Sequence, residues 1–431
     1  MLEKNKQKKI DYKWVIVALS FLMVCVSLGF CSSTKSLFLS PVTKYLNIER
    51  GVYSINDSCR YVATAVINLF FGSMIIKFGP KKLILAGMLS LITAMLIYAY
   101  ANNVFVFYIG GVFLGIGFAW TSTTMVGYVI NEWCKENKGT IMGAVLASNG
   151  LGGAIAMQFV SPIIEKSAQG YKSAYILIAI ILVALLVLLA IFFKDKSKVV
   201  ENGLETKGQT RPSTAKKKRG QEWVGLEWNI VVKKWWFYLA VCCIFFTGFV
   251  LQGITGISAA HMKDVGIEAG YVATVLSVHS ICLAFSKFLT GFIYDKFGLR
   301  ITTSFCTTIA IVTMFVLSLV TNSSAGMVLA MTYSILSALA LPLETIILPI
   351  YASDLFGQKD YGKVLGIIVS ANVAGYALGA PAVNLVYDLL NSYNIALYIC
   401  AAIMILVLIV LQLVFSAAKK EKIKILEQEE K

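Results

Sequence analysis

The sequence contains about a dozen continuous apolar runs, and a run of roughly 20 apolar residues is long enough to span a bilayer as an α-helix. The runs, numbered as spans 1 to 12, lie near residues 14–38, 52–76, 83–101, 104–130, 139–163, 173–193, 235–258, 270–294, 302–320, 326–350, 363–387 and 394–415. Only 14% of the 431 residues are charged, whereas a soluble domain has about 25%. Barrel strands would alternate polar and apolar residues in short segments. The chain is therefore predicted to be an all-α membrane protein with twelve transmembrane helices.

The placement of the basic residues predicts how the spans are oriented. The formal net charge is +15, and with the N-terminus inside, thirty of the 38 lysines and arginines fall on one side of the membrane, five on the other and three within spans. An excess of Lys and Arg in short loops marks the cytoplasmic side. We therefore expect a multi-pass protein of the plasma membrane with both termini in the cytoplasm. Since the charge is explained by topology, no nucleic-acid partner is expected.

An internal repeat relates the two halves of the chain. At a constant offset of 219 residues, Gly29-Phe30 aligns with Gly248-Phe249, and the stretch from Gly72 to Gly79 aligns with Gly291 to Gly298. Near span 5 the offset becomes 223, and the glycines and the asparagine of that span recur in span 11. Each half has six spans, so the two copies share one orientation. Parallel repeats of this kind are typical of transporters whose site lies between the halves.

A polar stretch separates the two halves. We predict two pseudo-symmetric six-helix bundles at 1–193 and 235–431, the second with a cytoplasmic tail, joined by a cytoplasmic linker at 194–234. The linker contains the basic run Lys216-Lys217-Lys218-Arg219, which is either a solvated loop or a segment lying against anionic lipid. Nine cysteines without paired spacing and two histidines give no metal or disulfide pattern. No enzyme activity, metal or cofactor is expected, and the protein is predicted to be a monomer.

The turn Gly-x-x-x-Asp-Lys-x-Gly at Gly291–Gly298, together with two six-span halves and a basic central linker, resembles the major facilitator superfamily. In that family the turn after span 2 normally carries an aspartate that latches the cytoplasmic gate. Here that position is Ile76, whereas the second copy keeps Asp295. The resemblance implies two bundles that rock about a central site, with Asp295, Lys296 and Arg300 as the latch.

Within the superfamily the chain is most similar to the monocarboxylate porters and oxalate/formate antiporters. Members of that branch carry a basic residue eight positions before the aspartate of the second turn, and here it is Lys287. The Gly29-Phe30 pair is followed by Lys35-Ser36, as in many monocarboxylate porters, and residues 354–366 are similar to their loop into span 11. The usual arginine is replaced by lysine, which lacks the bidentate fork. The span 11 lysine of oxalate antiporters is absent from 367–369.

Lys287 and Glu344 are charged residues that are predicted to lie at a similar depth within the membrane. A charge at the centre of a helix costs about 2.5–3.5 kcal/mol on insertion scales, so it needs a partner, a wet cavity or a function. Lys287 is predicted to bind the substrate carboxylate, or else to form a structural ion pair with Glu344. Glu344 is either a proton-coupling or gating group or a static partner.

Charged and titratable residues also occur in the outer parts of the spans. Asp57 and Arg60 are three residues apart, so they share a helix face and form either a local salt bridge or an outer site that attracts the substrate. Lys35 is a second candidate for substrate entry. His279 aligns with Arg60 across the repeat and is either a proton carrier or a hydrogen-bonded packing residue. Asp57, at this outer level, and Asp295, in the cytoplasmic turn after span 8, are candidate gating groups.

Polar and amphipathic side chains inside the spans could line a small-ligand site, which is usually apolar with a few polar tips. Taken singly, each could equally be a packing residue. These candidates are Trp120, Thr121, Asn149, Gln252, Tyr333 and Asn372.

The resemblance and the intramembrane cations predict a secondary transporter of small organic anions. Monocarboxylates such as formate, lactate or an oxalate-like anion are expected, moved by alternating access with proton symport or anion exchange. One alternative is a superfamily transporter of a larger organic anion or a drug. Another is a membrane sensor that transports nothing, although no soluble output domain is evident in the sequence.

Overall fold

The computed structural model describes residues 12–48, 50–134, 136–167, 169–196, 225–390 and 392–429, so most of the predicted linker, including Lys216–Arg219, lies outside the described residues. The first half contains α1 (Tyr12–Leu28), a π-helical turn (Gly29–Ser33), α2 (Lys35–Leu46), α3 (Arg50–Leu69), α4 (Phe71–Tyr100), α5 (Val104–Thr121), α6 (Thr123–Trp133), α7 (Lys138–Glu165) and α8 (Gly170–Phe192).

The second half repeats this series after a short helix, α9 (Trp228–Val231). It contains α10 (Trp235–Asp264), α11 (Ala269–Phe297), α12 (Leu299–Ser318), α13 (Ser324–Ala340), a 3₁₀ turn (Leu341–Glu344), α14 (Ile347–Phe356), α15 (Tyr361–Leu390) and α16 (Tyr393–Glu429). The prediction of an all-helical fold with two six-span bundles is confirmed.

Eleven helical segments among the described residues are long and apolar enough to cross a membrane. The twelfth predicted span is α3 together with the first part of α4, up to Gly79. Asn56, Asp57, Arg60 and Asn68 lower the hydropathy of α3. A helix with this many polar residues in a membrane must turn them toward protein or a wet cavity, so α3 is a candidate for the functional part of the fold.

Two glycines that the repeat aligns adopt the same unusual backbone conformation. Gly79 has φ 77° and ψ 161°, and Gly298 has φ 80° and ψ 173°. A Cβ atom strongly disfavours positive φ, so glycine is the residue of choice at both turns. The helix before each glycine ends there and the next begins, which brings spans 2 and 3, and spans 8 and 9, into adjacent positions. The internal repeat is therefore present in the backbone as well as in the sequence.

All spans alternate in direction between two faces of the molecule. One face, which we call the linker face, contains the turns at Gly79 and Gly298, both ends of the linker and the C-terminal end of α16. The turns near Asn47 and Gly266 lie at the opposite face. Within the N-terminal bundle α4 packs on α5 and α8, and α3 packs on α5. Within the C-terminal bundle α10 packs on α15 and α16, and α12 packs on α13 and α16.

The two bundles meet along two seams, α7 with α11 and α3 with α15. In both seams a glycine lies against the backbone of the other bundle. A Cβ on Gly143 would lie 2.5 Å from the carbonyl oxygen of Lys287, and a Cβ on Gly366 would lie 2.3 Å from that of Asn68. The repeat aligns Gly143 with Gly366 and Asn68 with Lys287, so the two seams are equivalent. Such close approach requires small residues, which are the usual means of packing helices in membranes.

A carboxylate fastens the α7–α11 seam at the linker face. Asp295 accepts hydrogen bonds from the backbone N–H groups of Gly139 (3.0 Å) and Thr140 (2.7 Å) and from the Thr140 hydroxyl (2.6 Å). These groups begin α7, and the positive end of a helix dipole favours an anion there. The aligned residue Ile76 is 70% exposed and cannot accept a hydrogen bond through its side chain, so the α3–α15 seam lacks this fastening.

The end of the linker is attached to the loop between α14 and α15. Leu226 donates its backbone N–H to the Phe356 carbonyl (2.9 Å), and Trp228 donates its own to the Asp360 carboxylate (2.8 Å). The Trp236 and Phe356 rings stack 4.8 Å apart. The linker therefore enters α10 from a fixed position beside the start of α15.

Removing the Asp295 carboxylate should favour opening of the linker face. For Asp295→Ala we expect about a tenfold shift in the ratio of open to closed molecules, the equivalent of about 1.4 kcal/mol, because three hydrogen bonds between the bundles are lost. The distance between spin labels on Glu136 and Lys359, one on each bundle, reports the ratio. Ile76→Asp is the matched gain-of-contact variant, and it should shift the ratio toward the closed form because it places a carboxylate near the start of α15. Unchanged distance distributions in Asp295→Ala would show that the hydrogen bonds do not hold the seam.

Candidate functional site

Three spans are interrupted near their middles. The first is broken by the π-helical turn Gly29–Ser33, the fourth at Ser122 (φ −114°, ψ −148°), and the tenth by the 3₁₀ turn Leu341–Glu344. Irregular backbone at membrane depth is tolerated only where it is buried in protein or lines a cavity, and broken helices form the binding sites of many transporters. These three breaks mark the level at which a site is expected.

A charged cluster of Lys35, Asp57 and Arg60 lies in the N-terminal bundle. Lys35 and Asp57 form an ion pair, and Arg60 Nε lies 3.5 Å from the other Asp57 oxygen. The side chains of Lys35, Asp57 and Arg60 are 39%, 21% and 13% exposed, so all three are partly accessible. Two cations and one carboxylate leave the cluster with one formal positive charge. The cluster is therefore able to attract an anion.

Aromatic and amide groups that sequence reasoning missed surround this cluster. A small cavity bounded by Lys35 and Asp57 is also lined by Tyr53, Tyr98 and Tyr175. Tyr98 donates its hydroxyl to the Asn56 side-chain oxygen (3.0 Å), and the Tyr53 and Tyr175 hydroxyls lie 3.4 Å apart. Tyrosines are common in membrane helices, so only the packing of α3, α4 and α8 identifies these three as neighbours of the charges.

Two more tyrosines connect the charged cluster with the C-terminal bundle. The Arg60 guanidinium carbon lies 4.2 Å from the centre of the Tyr61 ring, a cation–π contact. Tyr61 meets Tyr376 of α15 edge to face, with ring centres 5.9 Å apart. The Tyr376 hydroxyl is in hydrogen-bonding reach of Glu344. A continuous series of contacts therefore runs from the cation Arg60 to the carboxyl group of Glu344 across the α3–α15 seam.

Glu344 and Lys287 do not form an ion pair, since the described residues contain no salt bridge within 4.0 Å between these two. Glu344 is 6% exposed, and its Oε1 atom is buried without a hydrogen-bond partner. Lys287 is also 6% exposed, and its ammonium group donates to the Leu146 carbonyl of α7 at 3.4 Å. Of the two arrangements that the sequence left open, the direct pair is absent from this conformation.

His279 and Tyr333 lie inside the C-terminal bundle. His279 Nδ1 is 3.1 Å from the Ser334 carbonyl oxygen and 2.8 Å from the Ser337 hydroxyl, so it joins α11 to α13. Tyr333 is 2% exposed and packs beside Ser258 and Ser337. Both residues therefore contact helices of their own bundle in this conformation.

The remaining predicted site residues lie at or near the breaks and seams. Asn149 of α7 accepts from Ser33 at the π-helical turn (3.1 Å), and Thr121 donates to the Gly117 carbonyl (2.8 Å) beside the break at Ser122. Asn372 donates to the Ile244 carbonyl (3.2 Å), and its side-chain oxygen is buried without a partner. Trp120 also has a buried N–H without a partner, and Gln252 is half-buried on α10.

These groups suit reversible binding of a small polar molecule. Buried polar atoms are normally hydrogen-bonded, yet Arg60, Trp120, Glu344 and Asn372 each keep one that has no hydrogen bond. A bound molecule with donors and acceptors could satisfy them. The charges favour an anion at the N-terminal bundle, where Arg60 and Lys35 are in excess over Asp57.

Known proteins resemble this chain along most of its length. An uncharacterized MFS-type transporter of Bacillus subtilis, YcxA, is 24% identical over 67% of this chain and 66% of its own length, which is just under two thirds. The sialic acid transporter NanX of Escherichia coli is 20% identical over 74% of each chain. Among solved structures, the E. coli fucose:proton symporter FucP superposes with a TM-score of 0.69 at 14% identity, covering 94% of this chain and 99% of that one. At that identity the structural match establishes the fold alone.

The sequence profile of the Major Facilitator Superfamily matches residues 19–258 and again residues 242–431. The two matches correspond to the two halves that the internal repeat defines, and together they cover nearly the whole chain. The chain therefore belongs to the Major Facilitator Superfamily.

Proposed function

We propose that this protein is a secondary transporter of small organic anions, with monocarboxylates as its substrates. The observation that carries the proposal is the excess of cations in the membrane region: the three cations Lys35, Arg60 and Lys287 outnumber the two carboxyl groups, those of Asp57 and Glu344. A neutral or cationic substrate would gain nothing from this charge, whereas an anion would be attracted by it. Lys287 is the main anion ligand in this proposal, and Lys35 and Arg60 receive the substrate first.

The linker face is the cytoplasmic side in this proposal, with 1–193 and 235–431 as the moving bundles and 194–234 as the linker. The distribution of Lys and Arg over the loops supports that orientation. Asp295 fastens the two bundles together at the linker face, and the Tyr61–Tyr376 ring contact joins them farther along the spans. The conformation is therefore interpreted as closed to the cytoplasm, with the charged cluster reached from outside.

Glu344 is the proposed site of proton coupling. It lies on the 3₁₀ break of span 10, it is buried, and one of its oxygens has no partner. A carboxyl group at this position can take up a proton from one side of the membrane and release it to the other as the bundles rock. Exchange of one anion for another is the competing mode, and it would need no protonation of Glu344.

A larger hydroxylated anion is the second candidate substrate. The sialic acid transporter NanX is a relative over 74% of this chain, and sialic acid is a carboxylate. The fold is also similar to that of a fucose:proton symporter. The same cations would then bind the acid group, and the tyrosines around the cluster would bind the hydroxyl groups.

Transport in proteoliposomes tests the proposal directly. Purified protein should take up at least one of labelled formate, acetate or lactate, and uptake should rise with an inward proton gradient if transport is symport. Labelled sialic acid is added to the same panel as a probe of the second candidate, and labelled oxalate shows whether a dicarboxylate is carried. If none of the three monocarboxylates moves, in the presence or the absence of a counter-anion, the monocarboxylate proposal is wrong.

Loss of the Lys287 charge should abolish most of this transport. For Lys287→Ala we expect initial uptake at least about tenfold lower, because a charged hydrogen bond contributes roughly 1.5–3 kcal/mol. Lys263→Ala, which removes an exposed lysine at the opposite face, is the matched control and should keep normal uptake. Undiminished transport by folded Lys287→Ala would remove this residue from the anion site.

Replacing Glu344 should separate transport from the proton gradient. In Glu344→Gln we expect exchange of internal for external carboxylate to continue, while accumulation driven by a pH gradient is lost, since the amide cannot take up a proton. The two assays are run on the same liposomes. Accumulation that still follows the pH gradient in this variant would assign proton coupling to another residue.

A further inference from the structure

We propose that the end of the linker is a strap that helps to hold the linker face closed. The strap is residues 225–228, and it fixes the loop at residues 356–360, between α14 and α15, so that Gln358 pairs with Asn131 of the N-terminal bundle. The pair takes the place of the acidic latch that the first half lacks at Ile76. This inference goes beyond the proposed function, because it does not depend on which molecule is carried.

The Asn131–Gln358 pair is a direct contact between the two bundles. Asn131, on α6, donates its amide N–H₂ group to the Gln358 side-chain oxygen, and Gln358 donates in return to the Asn131 oxygen (3.2 Å). Lys138 also donates to the Asn131 oxygen (2.9 Å). The same part of α6 lies against α14, since a Cβ on Gly127 would be 2.5 Å from the Cβ of Pro349. The pair therefore joins the bundles where their backbones are already close.

The strap holds the loop on both sides of Gln358. Its contacts with the loop are two hydrogen bonds from backbone N–H groups, one antiparallel bridge and one ion pair. They join Leu226 to Phe356, Trp228 to Asp360, Gly225 to Gly357, and Glu227 to Lys359. Gln358 lies between these contacts, and its side chain reaches the other bundle. The strap therefore pre-organises the residue that makes the pair.

Burial decides which contacts attach the strap most firmly. The side chains of Lys359 and Glu227 are 49% and 52% exposed, and exposed ion pairs contribute little to stability. Leu226 is only 3% exposed, and Phe356 is 1% exposed and stacks on Trp236. The hydrogen bond from Leu226 to the Phe356 carbonyl is therefore shielded from water, and it is the main attachment of the strap.

The close approach of the strap requires a glycine at position 225. Gly225 has φ 95°, a conformation that a Cβ atom strongly disfavours. A Cβ there would also lie 2.6 Å from the Cα of Gly357 and from the Phe356 carbonyl oxygen. A side chain at this position would push the strap away from the loop. Substitution of Gly225 therefore releases the strap without changing Gln358 or Asn131.

The beginning of the linker contacts the other partner of the pair. Lys196 donates to the carbonyl of Glu132, the residue after Asn131, and its ammonium group lies 5.9 Å from the centre of the Trp133 ring. The two described ends of the linker therefore hold the chain next to Asn131 and around Gln358. Both partners of the pair depend on the linker for their positions.

The internal repeat shows what the pair replaces. The start of α7 is fastened by Asp295 of the other bundle, but the aligned residue Ile76 has no side-chain acceptor to offer the start of α15. The loop that carries Gln358 leads directly into the start of α15. The strap and the pair therefore supply an attachment between the bundles where the acidic one has been lost.

Substitution of either amide tests the pair. Spin labels on Lys82 and Lys420, which are exposed and lie one on each bundle, report the ratio of open to closed molecules in a background whose nine cysteines are replaced by serine. Gln358→Ala and Asn131→Ala should each raise that ratio about fivefold, because the hydrogen bonds between the amides are lost. Combining the two substitutions should add little, since the residues act as one pair.

Release of the strap tests its action through Gln358. Gly225→Ala should raise the open-to-closed ratio about threefold, but it should leave the ratio unchanged in Gln358→Ala, where the pair is already lost. Gly270→Ala is the matched control at the opposite face, because a Cβ there would make an ordinary contact of 3.8 Å with the Glu268 carboxylate. In protein that retains all native cysteines, hydrogen exchange of peptides covering residues 354–362 should increase in Gly225→Ala and not in Gly270→Ala.

Three results would overturn the inference. Unchanged exchange of residues 354–362 in Gly225→Ala would show that the strap does not hold the loop. An unchanged ratio in Gln358→Ala would show that the pair does not hold the face, and a full effect of Gly225→Ala in the Gln358→Ala background would show that the strap acts by another route. If the cysteine-free background does not fold, exchange of residues 127–133 in native-cysteine protein replaces the distances and should increase in the same variants. These assays use no substrate, so failure of the proposed function is a separate outcome.

Discussion

The structure depends on one kind of contact, which occurs once in each seam. A glycine of one bundle lies against a backbone carbonyl of the other bundle. Lipid tails are as apolar as leucine, so helices in a membrane associate through close packing and polar contacts rather than through the hydrophobic effect. Gly143 and Gly366 permit that close packing. Because the carbonyls they meet belong to Lys287 and Asn68, the approach that closes the linker face also encloses these two polar residues. The same contact therefore closes the linker face and buries Lys287.

The repeat is symmetric in its backbone and asymmetric in its charges. Gly79 and Gly298 share one conformation, and the two seams share one packing. The α7–α11 seam, however, holds Asp295 and a buried cation, whereas the α3–α15 seam is joined by the Tyr61–Tyr376 ring contact and by the Ser370 hydroxyl, which donates to the Ala65 carbonyl (2.5 Å). The first seam therefore adds hydrogen bonds to a charged carboxylate to the shared packing, and the second adds a ring contact and a hydrogen bond between neutral groups. Ionic conditions should affect the two seams unequally, since salt screens exposed charges.

The fold could be predicted almost completely from the sequence, but the arrangement of the site could not. Long apolar runs, the 219-residue repeat and its glycines can be read directly from the sequence, and they correspond to observed helices and turns. Charged residues were identifiable because they are rare in membrane spans. The side chains that they contact depend on how each helix is rotated about its axis. The position of a residue along its span does not reveal that rotation. Lys287 and Glu344 were therefore predicted at similar depth yet have separate neighbours. Tyr61 and Tyr376 gave no signal because their importance comes from the meeting of α3 with α15.

An alternating transporter must keep its two conformations within a few kcal/mol of each other, because a ligand shifts an equilibrium only by its difference in affinity for the two states. The linker face contains opposing terms that bring the two conformations closer in free energy. Asp295 contributes hydrogen bonds to a charged group, each worth roughly 1.5–3 kcal/mol before exposure reduces it, whereas an unsatisfied buried polar group costs about 1–3 kcal/mol. Asn68 supplies that cost in the closed form, and Lys287 adds the cost of a buried ammonium group that has a backbone carbonyl as partner but no carboxylate within 4.0 Å among the described residues. Terms of equal order and opposite sign leave a small free-energy difference, and a ligand whose affinity differs modestly between the two conformations is sufficient to reverse it.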